Sequence, residues 1–353
     1  MKVDYIIVGQ GVGGSSLAHH LLEAGKKVLV INHTDANSSS RVAAGIVNPI
    51  TGRNMVKTWK ADDIFPYLFQ FYKKMETLLG VNVLEELPIY RPFVNMEEQN
   101  EWMGKSSEDS YKAYVKNINF DNESKPGLKS KAGGLELNYS GYVALESYLD
   151  AYKEYLKSKE SYLEDWFDTD ALKLSDEGVV YKSIEAARLI FCDGVQSRIK
   201  GYFDWLPFRR VKGELIYIKT DLNIQNIYNR GVFILPQKDG ICKVGATYEW
   251  QDLSLVPTDK AKAQLVEKLE AIIDFDYEIV DHKVGIRPST LDRRPFIGKH
   301  PKFQQLFIFN GLGTKGVSIA PFLAQNFTKY LENEQNIDRE VNIERYFSLY
   351  YNG

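Results

Sequence analysis

Residues 9 to 14 read GQGVGG, and they follow directly on the apolar run DYIIV. The run predicts a buried strand over residues 3 to 8. Beyond the glycines, Leu17, Ala18, Leu21 and Leu22 recur at helical spacing and predict a helix over residues 12 to 24, with Gly25 placed just past its end. KVLVIN then supplies a second strand. Strand, glycine loop, helix and strand within about 30 residues make the βαβ unit that binds dinucleotides. Gly9 permits the tight turn, Gly11 lets the backbone approach a pyrophosphate, and Gly14 lets the helix pack close to the strand. The helix N-terminus offers free N–H groups and the positive end of its dipole to the phosphates. Gly9, Gly11, Val12, Gly13 and Gly14 are therefore the expected pyrophosphate-binding residues.

Asn32 ends the second strand, where an acidic residue usually accepts from the ribose hydroxyls. Its carbonyl oxygen can accept too, without charge assistance. No basic residue immediately follows to hold a 2′-phosphate, so NADP is not favoured. The loop alone does not choose between a flavin and a nicotinamide.

The rest of the chain changes texture twice. NHTDANSSSRVAAGIVNPITGRN is a polar, small-residued loop, too long for an idle connection. Helical spacing resumes over residues 62 to 79, and LEELPIYRPFVNMEEQNEWMGKS starts as a strand and ends as a helix. Residues 104 to 132 suit a sheet edge or a mobile loop, GYVALESYLDAYKEYLKSK a short strand and an amphipathic helix, and ARLIFCDGVQS a buried strand ending in a turn. From residue 209, RVKGELIYIKT, GVFILPQKDG and ICKVGATYEW are strands separated by turns, with Asp239-Gly240 as a hairpin signal. A helix at 258 to 273, the strand-like YEIVDHKVGIRPS, and a final strand, glycine loop and helix complete the chain. The expected fold is α/β plus antiparallel β. A Rossmann-like nucleotide-binding domain takes residues 1–85, 141–204 and 281–353; a discontinuous antiparallel-sheet substrate domain takes 86–140 and 205–280.

Bulk properties exclude several classes. A net charge of -3 gives no general nucleic-acid or anionic-membrane surface. Cys192 and Cys242 make neither a disulfide framework nor a metal spacing, and the scattered histidines form no ligand cluster. His19 and His20 are expected on the surface of the first helix. No apolar stretch approaches the roughly 20 residues of a membrane span, and the N-terminal run is too short for a signal peptide, so a cytoplasmic location is expected.

Several separated segments carry a resemblance. SSSRVAAGIVNP, FILPQKDGICKVGATYE, GIRPSTLDRRPFIGKHP and FNGLGTKGVSIAPFLAQ lie in the order, and with the glycine loop span the length, of the D-amino-acid oxidase superfamily. The chain resembles its glycine oxidase and sarcosine oxidase members, and the FAD-dependent domain that finishes a tRNA wobble-uridine modification. The resemblance implies FAD, held non-covalently because neither cysteine lies in a flavin-facing segment. It implies that the small-residue loop with Arg41, Ala43, Ala44 and Gly45 runs along the flavin. Asp193 and Gly194 join the cofactor set, as does the terminal loop of Gly311, Gly313, Thr314, Lys315, Gly316 and Val317.

The resemblance also places Arg287, in GIRPST, over the flavin as the carboxylate-binding arginine, a task suited to a planar guanidinium. Lys315 is the candidate for positive charge at the flavin pyrimidine edge. Phe233 stands where glycine oxidase has a tyrosine that helps bind the carboxylate; Tyr248, in GATYEW, is the candidate replacement. Arg53, Lys57 and Trp59 are candidates for the entrance, and Arg293 and Arg294 read as a solvated charge run. The expected activity is oxidation of a C–N bond in an amino acid or secondary amine bearing a carboxylate. Hydride passes to flavin N5, and oxygen or an electron acceptor takes the electrons onward. The alternatives are an FAD-dependent tRNA-modification oxidoreductase and a non-catalytic flavin-binding protein.

Overall fold

The computed structural model describes residues 1–35, 37–52, 54–195 and 201–352. Arg53 lies outside them.

The opening run forms the strand Lys2–Val8, which pairs in parallel with Val28–Asn32 on one side and Ile184–Phe191 on the other. Tyr162–Glu164 extends the parallel sheet beyond Val28–Asn32, and Leu306–Asn310 extends it beyond Ile184–Phe191. A meander of Leu172–Ser175 and Gly178–Tyr181 adds antiparallel strands. Such strands are apolar on both faces because both are covered. On one face Tyr5, Ile7, Val28, Val30, Ile190 and Phe307 pack against the helices Val12–Glu23, Ala61–Leu79, Leu145–Ser158 and Gly316–Leu331. On the other, Ile6, Val8, Leu29, Ile31 and Phe191 meet Phe167, Tyr181, Phe203 and Phe296.

The first helix is buried on nearly every side, and this corrects the expected place of His19 and His20. Both are buried, packed around Phe71 with Tyr67 and Tyr152 nearby. Burial pushes both imidazoles down to about 4. A helix roofed by three others has no solvent face, which its own periodicity does not reveal.

The second sheet runs in the order Glu278–Arg287, Val211–Lys219, Ile241–Gly245, Val232–Pro236, Ile227–Arg230, Ile89–Pro92, Gly134–Leu137 and Val115–Asn119. All neighbours are antiparallel except Ile227–Arg230 with Ile89–Pro92. Residues 104 to 132 thus contribute the sheet edge. The strand Glu278–Arg287 crosses position 281, where the sequence reading placed a boundary, because it pairs along its length with Val211–Lys219. One face of this sheet, with Ile216, Ile234 and Val244, is covered by the helix Asp259–Glu270 through Leu265 and Leu269. The opposite face, with Val211, Phe233 and Arg287, borders a cleft against the parallel-sheet part. Among the described residues no helix is long and apolar enough to cross a membrane.

Candidate active site and cofactor cleft

The cleft encloses about 1640 Å³ and runs from the glycine loop to the open face of the antiparallel sheet. Its first end is made largely of backbone. Gly9 has φ +103°, and a Cβ on Gly14 would stand 1.9 Å from the Gly9 carbonyl oxygen, so helix and strand close only over glycine. Gly11 caps the helix and has no side chain to satisfy the first-turn N–H groups. The Val12 N–H donates instead to Ser40 Oγ at 3.1 Å. Leu312 packs against Gly13 and Gly316 and brings the start of the helix Gly316–Leu331 to the same cleft. Two helix N-termini therefore open on one cavity, the arrangement that favours phosphates and developing negative charge.

Asn32 holds this end together: its Oδ1 accepts from the Gln10 N–H at 2.9 Å, and its Nδ2 donates to Tyr162 Oη at 3.3 Å. Asp193 and Gly194 lie beside Gly9, where Asn310 Nδ2 donates to the Gly194 carbonyl at 3.0 Å. Cys192 also lines the cleft. It sits under Gly9 at the glycine-loop end, and burial pushes its thiol up. The loop after the second strand runs along the cleft with Ala43, Ala44 and Gly45, while Arg41 is ion-paired to Asp150. Val42 packs on Gly285, and Ser39 donates to the Ile286 carbonyl, which ties this loop to the last strand of the antiparallel sheet.

That strand ends in Arg287. Its Nη1 donates to the Thr247 carbonyl at 3.1 Å, and its guanidinium carbon lies 4.7 Å from the Tyr248 ring centroid. No carboxylate among the described residues pairs with it, and burial holds its pKa below the ordinary value. A Cβ on Gly213 would come within 2.2 Å of the guanidinium, so Gly213 is the floor on which Arg287 lies. Tyr248 is 55% exposed and meets Arg287 with its ring face, a cation–π contact rather than a hydroxyl contact.

Lys315 closes the terminal loop of Gly311, Gly313 and Thr314, just before Gly316 and Val317 begin the helix. Its Nζ donates to Thr51 Oγ1 at 2.7 Å and Thr58 Oγ1 at 2.9 Å. With no carboxylate beside it among the described residues, burial and then the Arg294 charge push its pKa down to about 8. Lys57 and Trp59 line the cleft, paired with Asp62 and Glu340. Arg294 is not simply solvated: it bonds Glu340 at 3.2 Å and lies over the Trp59 ring, whereas Arg293 is exposed.

Sequence reasoning missed Ser40, Thr51, Thr58, Gly213 and Thr247. Each works only through a partner distant in sequence, so no local pattern marks it. The glycine in RVKGELI was the one visible signal, a glycine inside a strand where another group approaches closely.

The model of the family described as FAD dependent oxidoreductase matches residues 4–330. The chain belongs to that family. This oxidoreductase is 23% identical over 358 residues to the glycine oxidase of Pseudomonas aeruginosa, covering 91% of the chain and 92% of that protein. It is 24% identical over 300 residues to the tRNA 5-methylaminomethyl-2-thiouridine biosynthesis bifunctional protein MnmC of Campylobacter jejuni, covering 83% of the chain but only 45% of that protein. In fold it is similar to iminodiacetate oxidase (IdaA) from Chelativorans sp. BNC1, with a TM-score of 0.81 at 20% identity, covering 97% of this chain and 98% of the other. The oxidoreductase is thus an FAD-dependent enzyme, and its cleft fits the cofactor: one helix N-terminus at the glycine loop suits a pyrophosphate, and a second, with the partly buried Lys315 beside it, suits negative charge farther along the cleft.

Proposed function

We propose that this oxidoreductase oxidises the C–N bond of an amino acid or secondary amine that carries a carboxylate. The observation that carries the reading is Arg287: a largely buried guanidinium facing the cleft, paired with no carboxylate among the described residues. A structural arginine at this burial would have its counter-ion built in, because an unpaired buried charge is costly. The substrate carboxylate is the missing partner, held by two parallel N–H···O bonds that fix orientation as well as position.

Gly9, Gly11, Val12, Gly13 and Gly14 would hold the FAD pyrophosphate, with Ala43, Ala44 and Gly45 along the cofactor and Lys315 at its pyrimidine edge. Bound FAD supplies a two-electron acceptor for the hydride that leaves the carbon next to nitrogen. Arg287 orients that carbon, and Tyr248 buttresses the guanidinium. Lys315 holds a proton on Nζ where negative charge accumulates. The substrate amine enters neutral, and water hydrolyses the resulting imine to a carbonyl compound and an amine or ammonia.

A second reading places the same amine on an RNA base. It is favoured by the exposed Tyr248 and Trp250 rings, stacked at 6.4 Å beside the cleft with Arg209 over Trp250 at 5.7 Å, a surface on which a base could stack. An anaerobic screen separates the two. Free amino acids and N-substituted amino acids should bleach the flavin absorbance; bleaching by modified RNA and by no free amine would replace the first reading with the second.

A further inference from the structure

The cleft-facing side of the antiparallel sheet carries another guanidinium that the reaction above does not use. Arg91 lies on the strand Ile89–Pro92. Ile227 stands opposite Ile89 and Tyr228 opposite Tyr90, which sets Asn229 beside Arg91. Asn229 is in turn opposite Phe233, Phe233 opposite Gly245, and Gly245 opposite Leu215. Two residues along from Leu215 is Gly213, the floor under Arg287. The same face of one sheet thus presents two guanidiniums with the apolar strip of Leu215, Gly245 and Phe233 between them, all lining the cleft.

Arg91 is poorly satisfied where it stands. Its side chain is 13% exposed, and its Nε is buried without a hydrogen-bond partner among the described residues. Its ion-pair contact is Nη2 to Glu98 at 3.6 Å, too long for a full hydrogen bond. Glu98 is already held by Arg230 Nη1, at 2.8 and 3.1 Å to its two oxygens. Two guanidiniums share one carboxylate, which leaves a positive charge in the cleft wall. Burial, and after it the charge of Arg230, pushes the Arg91 pKa down. A buried guanidinium with unmade bonds is unfavourable, and an anion arriving from the cleft would relieve it.

We propose that Arg91, flanked by Asn229 and Arg230, binds a second anionic group of the substrate, which is then a secondary amine whose nitrogen joins two carboxylate-bearing arms. This rests on the reading that Arg287 binds the first carboxylate. The two strands are five spacings apart, roughly 24 Å between axes before the side chains reach inward. The arms are therefore longer than those of glycine or sarcosine. Phe233 fits the proposal: in the strip between the two cations it offers apolar contact to the linker and no competing hydrogen bond.

The test is a titration of the FAD-loaded protein with unreactive α,ω-dicarboxylates from glutarate to sebacate and with their monoamides, read by the flavin difference spectrum. At one chain length the diacid should bind about tenfold tighter than its monoamide, the gain of a second charge-assisted contact. Arg91→Met should abolish that advantage and leave monoamide binding within about twofold. Asn229→Asp, which sets a carboxylate beside Arg91, should do the same and guards against a Met variant that does not fold. No diacid advantage at any length, or one that survives both variants, overturns the second site. Silent monoamides together with silent diacids would mean that Arg287 holds no carboxylate; the second site then falls with the first, by a recognisably different result.

Discussion

The two ends of the cleft are built by different means. At the glycine-loop end the contacts are backbone: a carbonyl that tolerates no Cβ at Gly14, and a helix capped by Gly11. At the antiparallel-sheet end they are long side chains, Arg287, Tyr248 and Arg91, laid across a sheet surface. The difference teaches where specificity resides. A backbone cradle suits the phosphates of a constant cofactor. A side-chain wall can be rewritten residue by residue while the fold stays.

The comparison breaks most severely at Gly14. Gly14→Ala would force a methyl to 1.9 Å from the Gly9 carbonyl oxygen. The strand and helix must separate, so we expect a loss of about 3 kcal/mol or more in stability. FAD content after purification and a thermal melt check this; a yellow protein with the wild-type melting temperature would contradict it.

At the other end the analogous change should spare the cofactor. Gly213→Ala would place a Cβ within 2.2 Å of the Arg287 guanidinium, which can shift where a carbonyl cannot. We expect full FAD content with kcat/KM reduced by about 10- to 100-fold, the effect of a misplaced positioning group. Equal loss of FAD and activity would show that the two ends are not separable.

Much of this contrast explains what was legible in sequence. The GQGVGG loop announces itself because backbone geometry restricts residue type locally, and the alternation of RVKGELIYIKT and ICKVGATYEW announces the second sheet. Arg287 and Lys315 were found through resemblance. Thr51 and Thr58, which hold Lys315, and Gly213, under Arg287, were not, because their meaning depends on residues far away in the chain. His19 and His20 were misplaced for the same reason: three helices that roof the first one come from residues 61–79, 145–158 and 316–331.

A smaller effect is expected at Lys315, whose pKa burial and the Arg294 charge push down to about 8. The folded pKa is below the unfolded one, so the unfolded state binds more protons between about 8 and the ordinary lysine value. The unfavourable burial of this charge is therefore full below pH 8 and is relieved as the pH rises through that window. Negative charge on FAD should favour the protonated form, so FAD affinity should fall as the pH rises above about 8. Lys315→Met should flatten that dependence, measured by fluorescence titration; an unchanged pH profile would remove Lys315 from the cofactor site.

The smallest effect is expected at Tyr248. Its ring face, not its hydroxyl, meets Arg287. Tyr248→Phe should therefore leave kcat/KM within about threefold, and Tyr248→Ala should cost only a few-fold, as for a partly exposed cation–π contact. A loss of 100-fold or so in the Phe variant would restore the hydroxyl as a substrate ligand.

The central claim is that Arg287 clamps a substrate carboxylate, and stopped-flow reduction of the flavin under anaerobic conditions tests it most directly. With an amino-acid substrate found in the screen, Arg287→Ala should retain FAD and the wild-type melting temperature. It should reduce kcat/KM by about 10²–10⁴-fold, as expected for loss of a bidentate, charge-assisted contact. Arg287→Lys should recover little, because an ammonium lacks the planar fork. Reduction of the Arg287→Ala flavin at the wild-type rate by the same carboxylate substrate would contradict the account.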